Sequence, residues 1–360
     1  MTTRRLVGIG DLHLDGKLEQ YASNLNSIIE NEVRGVLLKA RRAGVTTAVF
    51  YGDLCERPRL SDEATATLSR LFVEFRDLDI LVIKGNHDAS DTTKCSLDLL
   101  AEQTRLGLFP NVTFALNEPT VVYADTDTPI NLLPWPLRDT RADMLNVLHT
   151  EAAGATWETG RAVDHGMDTR HLCVVGHIHK AQKVRNTHFS GTLYQTSFGE
   201  PEDKFFHQIA YTGDVRTTKV NLAPHYPALV LRNVVLETAN DYRQLQQDCE
   251  SDSSDRRVLR KVFFKGKGLT LPPDAFAAMP SVVKTQGFTS KTELTALLQE
   301  DLVLDDASSS ARWNMMHTLK GWLHSSDAPD ELKRRAYHKA KALAKLTPQS
   351  TESNDDATTH

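Results

Sequence analysis

The sequence predicts an α/β chain, in part α+β, in which a mixed sheet is covered by helices. Three observations lead there. Short apolar runs alternate with segments of helical spacing between residues 6 and 83. Shorter β segments punctuated by Pro and Asn follow between 112 and 175. Acid, amide and imidazole side chains recur where apolar runs end, and open α/β sheets collect ligands at the carboxyl ends of their strands.

Leu6 to Gly10 is an apolar run ended by Asp11. Residues 21 to 43 carry Leu25, Ile28, Ile29, Val33, Val36, Leu37 and Ala40 at helical spacing and close at Gly44. Val45 to Tyr51 is a second strand, ended by Gly52-Asp53. Ser61-Asp62-Glu63 caps a helix with Leu68, Leu71, Phe72 and Phe75 on one side. Ile80 to Ile83 is the next strand and runs out at Gly85-Asn86. Val112 to Leu116, Thr120 to Tyr123 and Ile130 to Leu133 are short β candidates. Leu145 to Leu148 leads into His149, and Leu172 to Val175 into Gly176-His177. Residues 207 to 222 read as a closing hairpin turned by Thr212-Gly213-Asp214.

Pro224 and Pro227 mark a boundary. Beyond it, residues 228 to 290 read β-α-β, with Leu229 to Leu236, a helix around Asp241 to Cys249, and Val258 to Phe264 after the polar loop Ser251 to Asp255. The expected division is a core over 1–224, a small α/β accessory domain over 225–305, a helical pair over 306–346 and a disordered tail over 347–360. In the helical pair Trp313, Met316, Leu319 and Leu323 share one stripe, and Leu332, Ala336, Ala340 and Leu343 another. Residues 312 to 345 hold eight Lys or Arg against three Asp or Glu. That pattern suits a solvated face on its own core, a partner-docking module seated through Trp313 and Trp322, or a surface touching DNA phosphates.

Composition bounds the class. With 40% hydrophobic and 25% charged residues the chain reads as an ordinary globular protein. A net charge of -5 argues against a surface uniformly positive for nucleic acid, though not against a local basic groove. Cys55, Cys95, Cys173 and Cys249 form no CxxC pair and read as reduced thiols, which points to the cytoplasm. No apolar run approaches the roughly 18 residues that span a bilayer, and no leader is evident, so no membrane partner is expected.

Five stretches carry the chemistry: Asp11-Leu12-His13, Gly52-Asp53, Gly85-Asn86-His87-Asp88, His149, and Gly176-His177-Ile178-His179. Asp11 and His13, like His177 and His179, are two apart and so share a side on an extended exit from a strand. Asp53 offers a carboxylate able to bridge two cations, and Asn86 a neutral oxygen. Asp11, His13, Asp53, Asn86, His149, His177 and His179 make seven candidate ligands of mixed O and N type without thiolate. Such a set favours Mn²⁺ or Fe²⁺, with Zn²⁺ also fitting, and two such ions can clamp a phosphate. His87 is read as the proton donor to a leaving oxygen, with Asp88 holding its ring. Each motif alone has a bland reading, since Asp-x-His and Gly-Asp are usually turns and Gly-Asn-His-Asp can be one. Their joint order, each after an apolar run save for the intervening Lys84, is what argues against chance. Nothing beside His149 in sequence is diagnostic, and His165, His171 and His188 end no clear strand and read as surface or core residues.

In this order the five stretches resemble the calcineurin-like metallophosphoesterase superfamily over residues 4 to 222. Within it, Gly176-His177-Ile178-His179-Lys180, Ser190-Gly191-Thr192 and Phe198-Gly199-Glu200 with Lys204 look like the SbcD-type DNA exonuclease subunit of double-strand-break repair, including phage-encoded versions of similar size. The resemblance implies a two-sheet sandwich flanked by helices. It implies Asp11, His13, Asp53 and His179 on a first manganese, Asp53, Asn86, His149 and His177 on a second, and His87 as the transition-state histidine. It further implies a homodimer, a capping domain after the core, and C-terminal helices that dock an SbcC-type coiled-coil ABC ATPase.

The leading functional expectation is therefore a Mn²⁺-dependent DNA nuclease, exonuclease or endonuclease, in DNA repair or recombination. The alternative is a metallophosphoesterase for a small phosphodiester or a phosphoprotein. A non-catalytic scaffold is the third possibility, and the complete donor set argues against it.

Overall fold

The computed structural model describes residues 3–89, 95–252, 256–266, 269–271 and 274–298. The expected helical pair and tail, 306–360, lie outside the described residues. In chain order, β1 (Arg4–Ile9) leads through a 3-10 turn at Lys17–Gln20 into α1 (Leu25–Arg42) and β2 (Thr47–Phe50). Then come α2 (Asp62–Glu74), β3 (Asp79–Ile83), α3 (Asp98–Arg105), β4 (Val112–Ala115), β5 (Thr120–Val122) and β6 (Ile130–Leu133). β7 (Leu145–His149), β8 (Cys173–Gly176), β9 (Gln182–Val184), β10 (Thr187–Phe189), β11 (Lys204–Tyr211) and β12 (Lys219–His225) follow. The last elements are β13 (Leu229–Leu236), α4 (Ala239–Glu250), β14 (Arg257–Lys265) and β15 (Val282–Phe288).

Two six-stranded sheets, ordered β12-β11-β1-β2-β3-β4 and β5-β6-β7-β8-β10-β9, make the expected mixed α/β sandwich. Period-two alternation assigns each side chain its layer. Leu6, Val49, Tyr51, Leu81 and Ile83 of the first sheet meet Ile130, Leu132, Leu145, Val147 and Val174 of the second in one apolar layer. Their neighbours Val7, Ile9, Ala48, Phe50, Ile80 and Val82 point the other way, into a cluster with Ile29, Val33 and Leu37 of α1 and Leu68, Leu71 and Phe72 of α2. All four residues of β2 are buried, as a parallel strand covered on both faces requires. α2 starts where its cap dictates, with the Ser61 hydroxyl accepting from the Ala64 amide at 3.0 Å.

The third sheet, β13-β14-β15, is parallel, with α4 crossing between its first two strands. Thr238 and Asp241 cap α4 reciprocally. Leu229, Leu231 and Leu259 join the cluster beneath α1. The Gln195 side chain clamps β13 by accepting from the Leu231 amide at 2.8 Å and donating to its carbonyl at 3.0 Å. α3, β9, β10 and β15 were not anticipated. α3 buries only Leu100 and has no side-chain cap, and β9 and β10 have three residues each, too few for a period to register. The four cysteines are free, and no described helix is long and apolar enough to cross a membrane.

Candidate metal centre

Strand ends deliver the donors. β1 releases Asp11 and His13, β2 releases Asp53, and β3 releases Asn86, His87 and Asp88. His149 is the last residue of β7, and His177 follows β8 directly. β1, β2 and β3 are mutually parallel, as are β6, β7 and β8, so each sheet presents these ends on one side. His149 Nδ1 donates to the Tyr51 carbonyl at 2.8 Å and so ties the two sheets at that point.

The seven donors named from the sequence converge on one place. Ligand atoms of Asp11, His13 and His179 lie within 4.8 Å of one another, as do those of Asp53, His149 and His177. His13, Asp53 and His87 form a third such group, which puts Asp53 between the other two. Asn86 joins through Oδ1, 2.8 Å from His149 Nε2. Three of these residues hold positive φ: His13 at 48°, Asp53 at 47° and His177 at 86°. Such conformations cost about 1–3 kcal/mol each and persist where the surroundings enforce them. Here the Asp53 carbonyl accepts from the Leu12 and His13 amides at 2.9 and 3.0 Å.

The donor chemistry calls for cations. Because the Tyr51 carbonyl can only accept, His149 carries its proton on Nδ1, and a neutral ring then turns a lone pair outward from Nε2. That lone pair faces two more acceptors, Asn86 Oδ1 at 2.8 Å and Asp53 Oδ2 at 3.1 Å. Likewise the Nε2 atoms of His13 and His179 face each other at 3.1 Å, while their Nδ1 atoms rest against Glu56 at 2.8 Å and Glu200 at 3.3 Å. Asp11 Oδ1 accepts from the His177 amide at 2.9 Å, but its buried Oδ2 has no hydrogen-bond partner among the described residues. Acceptors aimed at acceptors in a buried site are stable only with positive charge between them. The proton equilibria answer the same field. Burial opposes the charged ring of His149, yet the charge and hydrogen bond of Asp53 raise it to about 9. Against burial too, Glu200 raises His179 to about 10. The carboxyl of Asp53 falls well below its usual range, because His149 and His87 outweigh its burial.

Three carboxylates behind the histidines escaped the sequence reading as orienting groups: Glu56 on His13, Glu151 on His177 at 3.3 Å, and Glu200 on His179. Burial would raise Glu56 and Glu151, but their histidines bring each down to about 2. Glu56 and Glu151 lie three and two residues beyond candidate ligands, the one available signal.

Asp88 differs from expectation. Its oxygens accept from the Cys55 amide at 3.1 Å and the Gly85 amide at 2.8 Å, so it stitches the β2 and β3 exits together and does not hold the His87 ring. Burial, then the charge of Asp53, pushes its carboxyl up. The His87 ring instead donates Nδ1–H to the Glu56 carbonyl at 3.2 Å, beside the ring of His13 at 5.0 Å between centroids.

The calcineurin-like phosphoesterase family profile matches residues 4–228, and the chain belongs to that family. It is thereby a metallophosphoesterase, of a family that works with divalent metal ions. A crystal structure of TT1561 of Thermus thermophilus is similar at 14% identity, covering 62% of this chain and 99% of that one, with a TM-score of 0.35. A comparison with curated proteins finds no match.

Proposed function

We propose that the chain is a Mn²⁺-dependent DNA nuclease that hydrolyses phosphodiester bonds, as exonuclease or endonuclease, in DNA end processing, repair or recombination. The observation that carries this reading is the chain of contacts behind His179. Lys204 Nζ donates to Thr192 Oγ1 at 3.0 Å and to Glu200 Oε2 at 2.6 Å, and Glu200 Oε1 lies 3.3 Å from His179 Nδ1. The three segments whose sequence looks like an SbcD-type nuclease thus meet in one hydrogen-bonded unit. That unit supports treating them as a single functional signature.

In this reading Asp11, His13, Asp53 and His179 hold one ion, and Asp53, Asn86, His149 and His177 the other. When bound, the ion pair neutralises the phosphate oxygens and makes water a nucleophile at neutral pH. His87, whose ring donates Nδ1–H to the Glu56 carbonyl, is the group that carries the proton a leaving oxygen takes. Residues 225–305 act as a cap on the core, 306–346 dock an SbcC-type ATPase, and the working form is a cytoplasmic homodimer. These last assignments rest on the sequence resemblance to SbcD-type nucleases alone.

Purified protein incubated with Mn²⁺ and labelled linear DNA, beside a chromogenic phosphodiester, tests the reading. Release of nucleotides from DNA is expected. Turnover of the chromogenic ester with DNA left intact would sink the nuclease reading while leaving the phosphoesterase.

A further inference from the structure

A second cluster of chemistry lies at the other end of the sandwich. A cavity of about 440 Å³ is lined by Arg170, Lys183, Arg216 and Lys219, with His188 and Asn221 among its polar walls. The lining contains no Asp or Glu, although the whole chain has 47 of them against 42 Lys and Arg. Arg170 pairs with Asp168. Asp214 is nearby in the chain, but its carboxylate accepts from the Arg216 amide at 2.9 Å and not from the guanidinium. Among the described residues, the side-chain cations of Lys183, Arg216 and Lys219 have no carboxylate partner. Desolvation pushes His188 down to about 4, and the charge of Lys183 adds to it.

Topology separates this cavity from the metal centre. Leu172 of its wall stands just before β8, whose opposite end delivers His177. Lys219 opens β12 in register with Ala210, which in turn pairs with Arg5 at the start of β1, away from Asp11. The four residues of β8 alone put roughly 13 Å between the two ends.

We infer that this cavity binds a small phosphate-bearing compound of nucleotide size, at a site distinct from the metal centre. Unpaired cations converging on one concavity focus positive potential there and favour a compact polyanion. The volume falls within the usual range for small-ligand pockets, roughly 300–1,000 Å³, and both sheets wall it. The imidazole and amide groups of His188 and Asn221 offer hydrogen bonds to whatever the phosphates carry.

The test is calorimetric titration of the full chain after dialysis against EDTA, which removes any contribution from bound metal and separates this inference from the nuclease reading. The probes are ADP, pyrophosphate and adenosine. Saturable binding of ADP is expected, with no binding of adenosine. Pyrophosphate binding as tightly as ADP would place recognition wholly in the phosphates; weaker binding would add a nucleoside contact, and both support the site. Lys183→Glu and Lys219→Glu, each an exposed residue, should weaken ADP by about tenfold or more, while Asp53→Asn should leave it unchanged. Absence of saturable binding of ADP and pyrophosphate at millimolar concentration would overturn the inference. So would unaltered affinity in both lysine variants.

Discussion

A methyl group placed on Gly85 would sit 2.1 Å from Oδ1 of Asp53 and 2.3 Å from its amide nitrogen. The exit from β3 therefore has room for the Asp53 carboxylate only because residue 85 lacks a side chain. Gly85→Ala should displace Asp53 and cut phosphodiester turnover by about a hundredfold or more, with metal content falling in parallel. Elemental analysis of the dialysed variant, set beside its turnover, checks both halves; a fully loaded and active variant would refute the steric argument.

Glu56 holds His13 in the tautomer that frees Nε2. Removing its charge in Glu56→Gln should weaken metal affinity by about 10–100-fold, the usual consequence of losing an orienting partner. Competition of Mn²⁺ against a fluorescent chelator measures it. Wild-type affinity in the variant would reduce Glu56 to a bystander.

His87→Ala should abolish turnover with both ions retained, since its role is read as proton delivery. The ring also lies close enough to His13 and Asp53 to share an ion. Loss of metal from the alanine variant would therefore reassign it as a ligand.

Acid stability should depend on His207. This ring is buried between the sheets, with Nδ1 3.0 Å from the Tyr51 hydroxyl, and desolvation, then the nearby His188, lowers it to about 3. An unfolded histidine takes up a proton near pH 6.5, so between about 6.5 and 3 the unfolded chain binds more protons than the native one. Stability therefore falls as the pH drops through that window, by at most about 1.4 kcal/mol per pH unit for this one group. Urea midpoints between pH 7 and 5 should decline less steeply in His207→Gln than in wild type. Parallel declines would place the acid sensitivity elsewhere.

Deleting residues 311 to 360 should spare manganese-dependent cutting of single strands while losing ATP-stimulated action on duplex DNA. Pull-down with a coiled-coil ABC ATPase is the direct measurement. Undiminished association after the deletion would remove this segment from the docking role.

The sequence was most legible where a chemical demand and a structural one coincide. A buried parallel strand is almost wholly apolar and ends where polar groups begin, so β1, β2, β3, β7 and β8 each announce both themselves and the donor at or beyond their tip. Side-chain direction was not legible. Asp88 adjoins His87 in sequence, yet consecutive residues in a turn project apart, and its carboxylate went to the amides of Gly85 and Cys55. Glu151 and Glu56 are ordinary surface-type residues until the fold sets them against a histidine. Glu200 is legible in the sequence only as part of a local pattern, because its contact with His179 depends on the path of the chain through Thr192 and Thr196.

The facing pair of rings has a consequence for how the protein is born. His13 and His179 are 166 residues apart, and β1 lies beside β11, the strand at Lys204–Tyr211. While a ribosome is still making the intervening chain, the first sheet has an unpaired margin along β1 and the cation cage has only part of its walls. The complete set of donors is thus assembled late in synthesis, from segments that were made far apart in time.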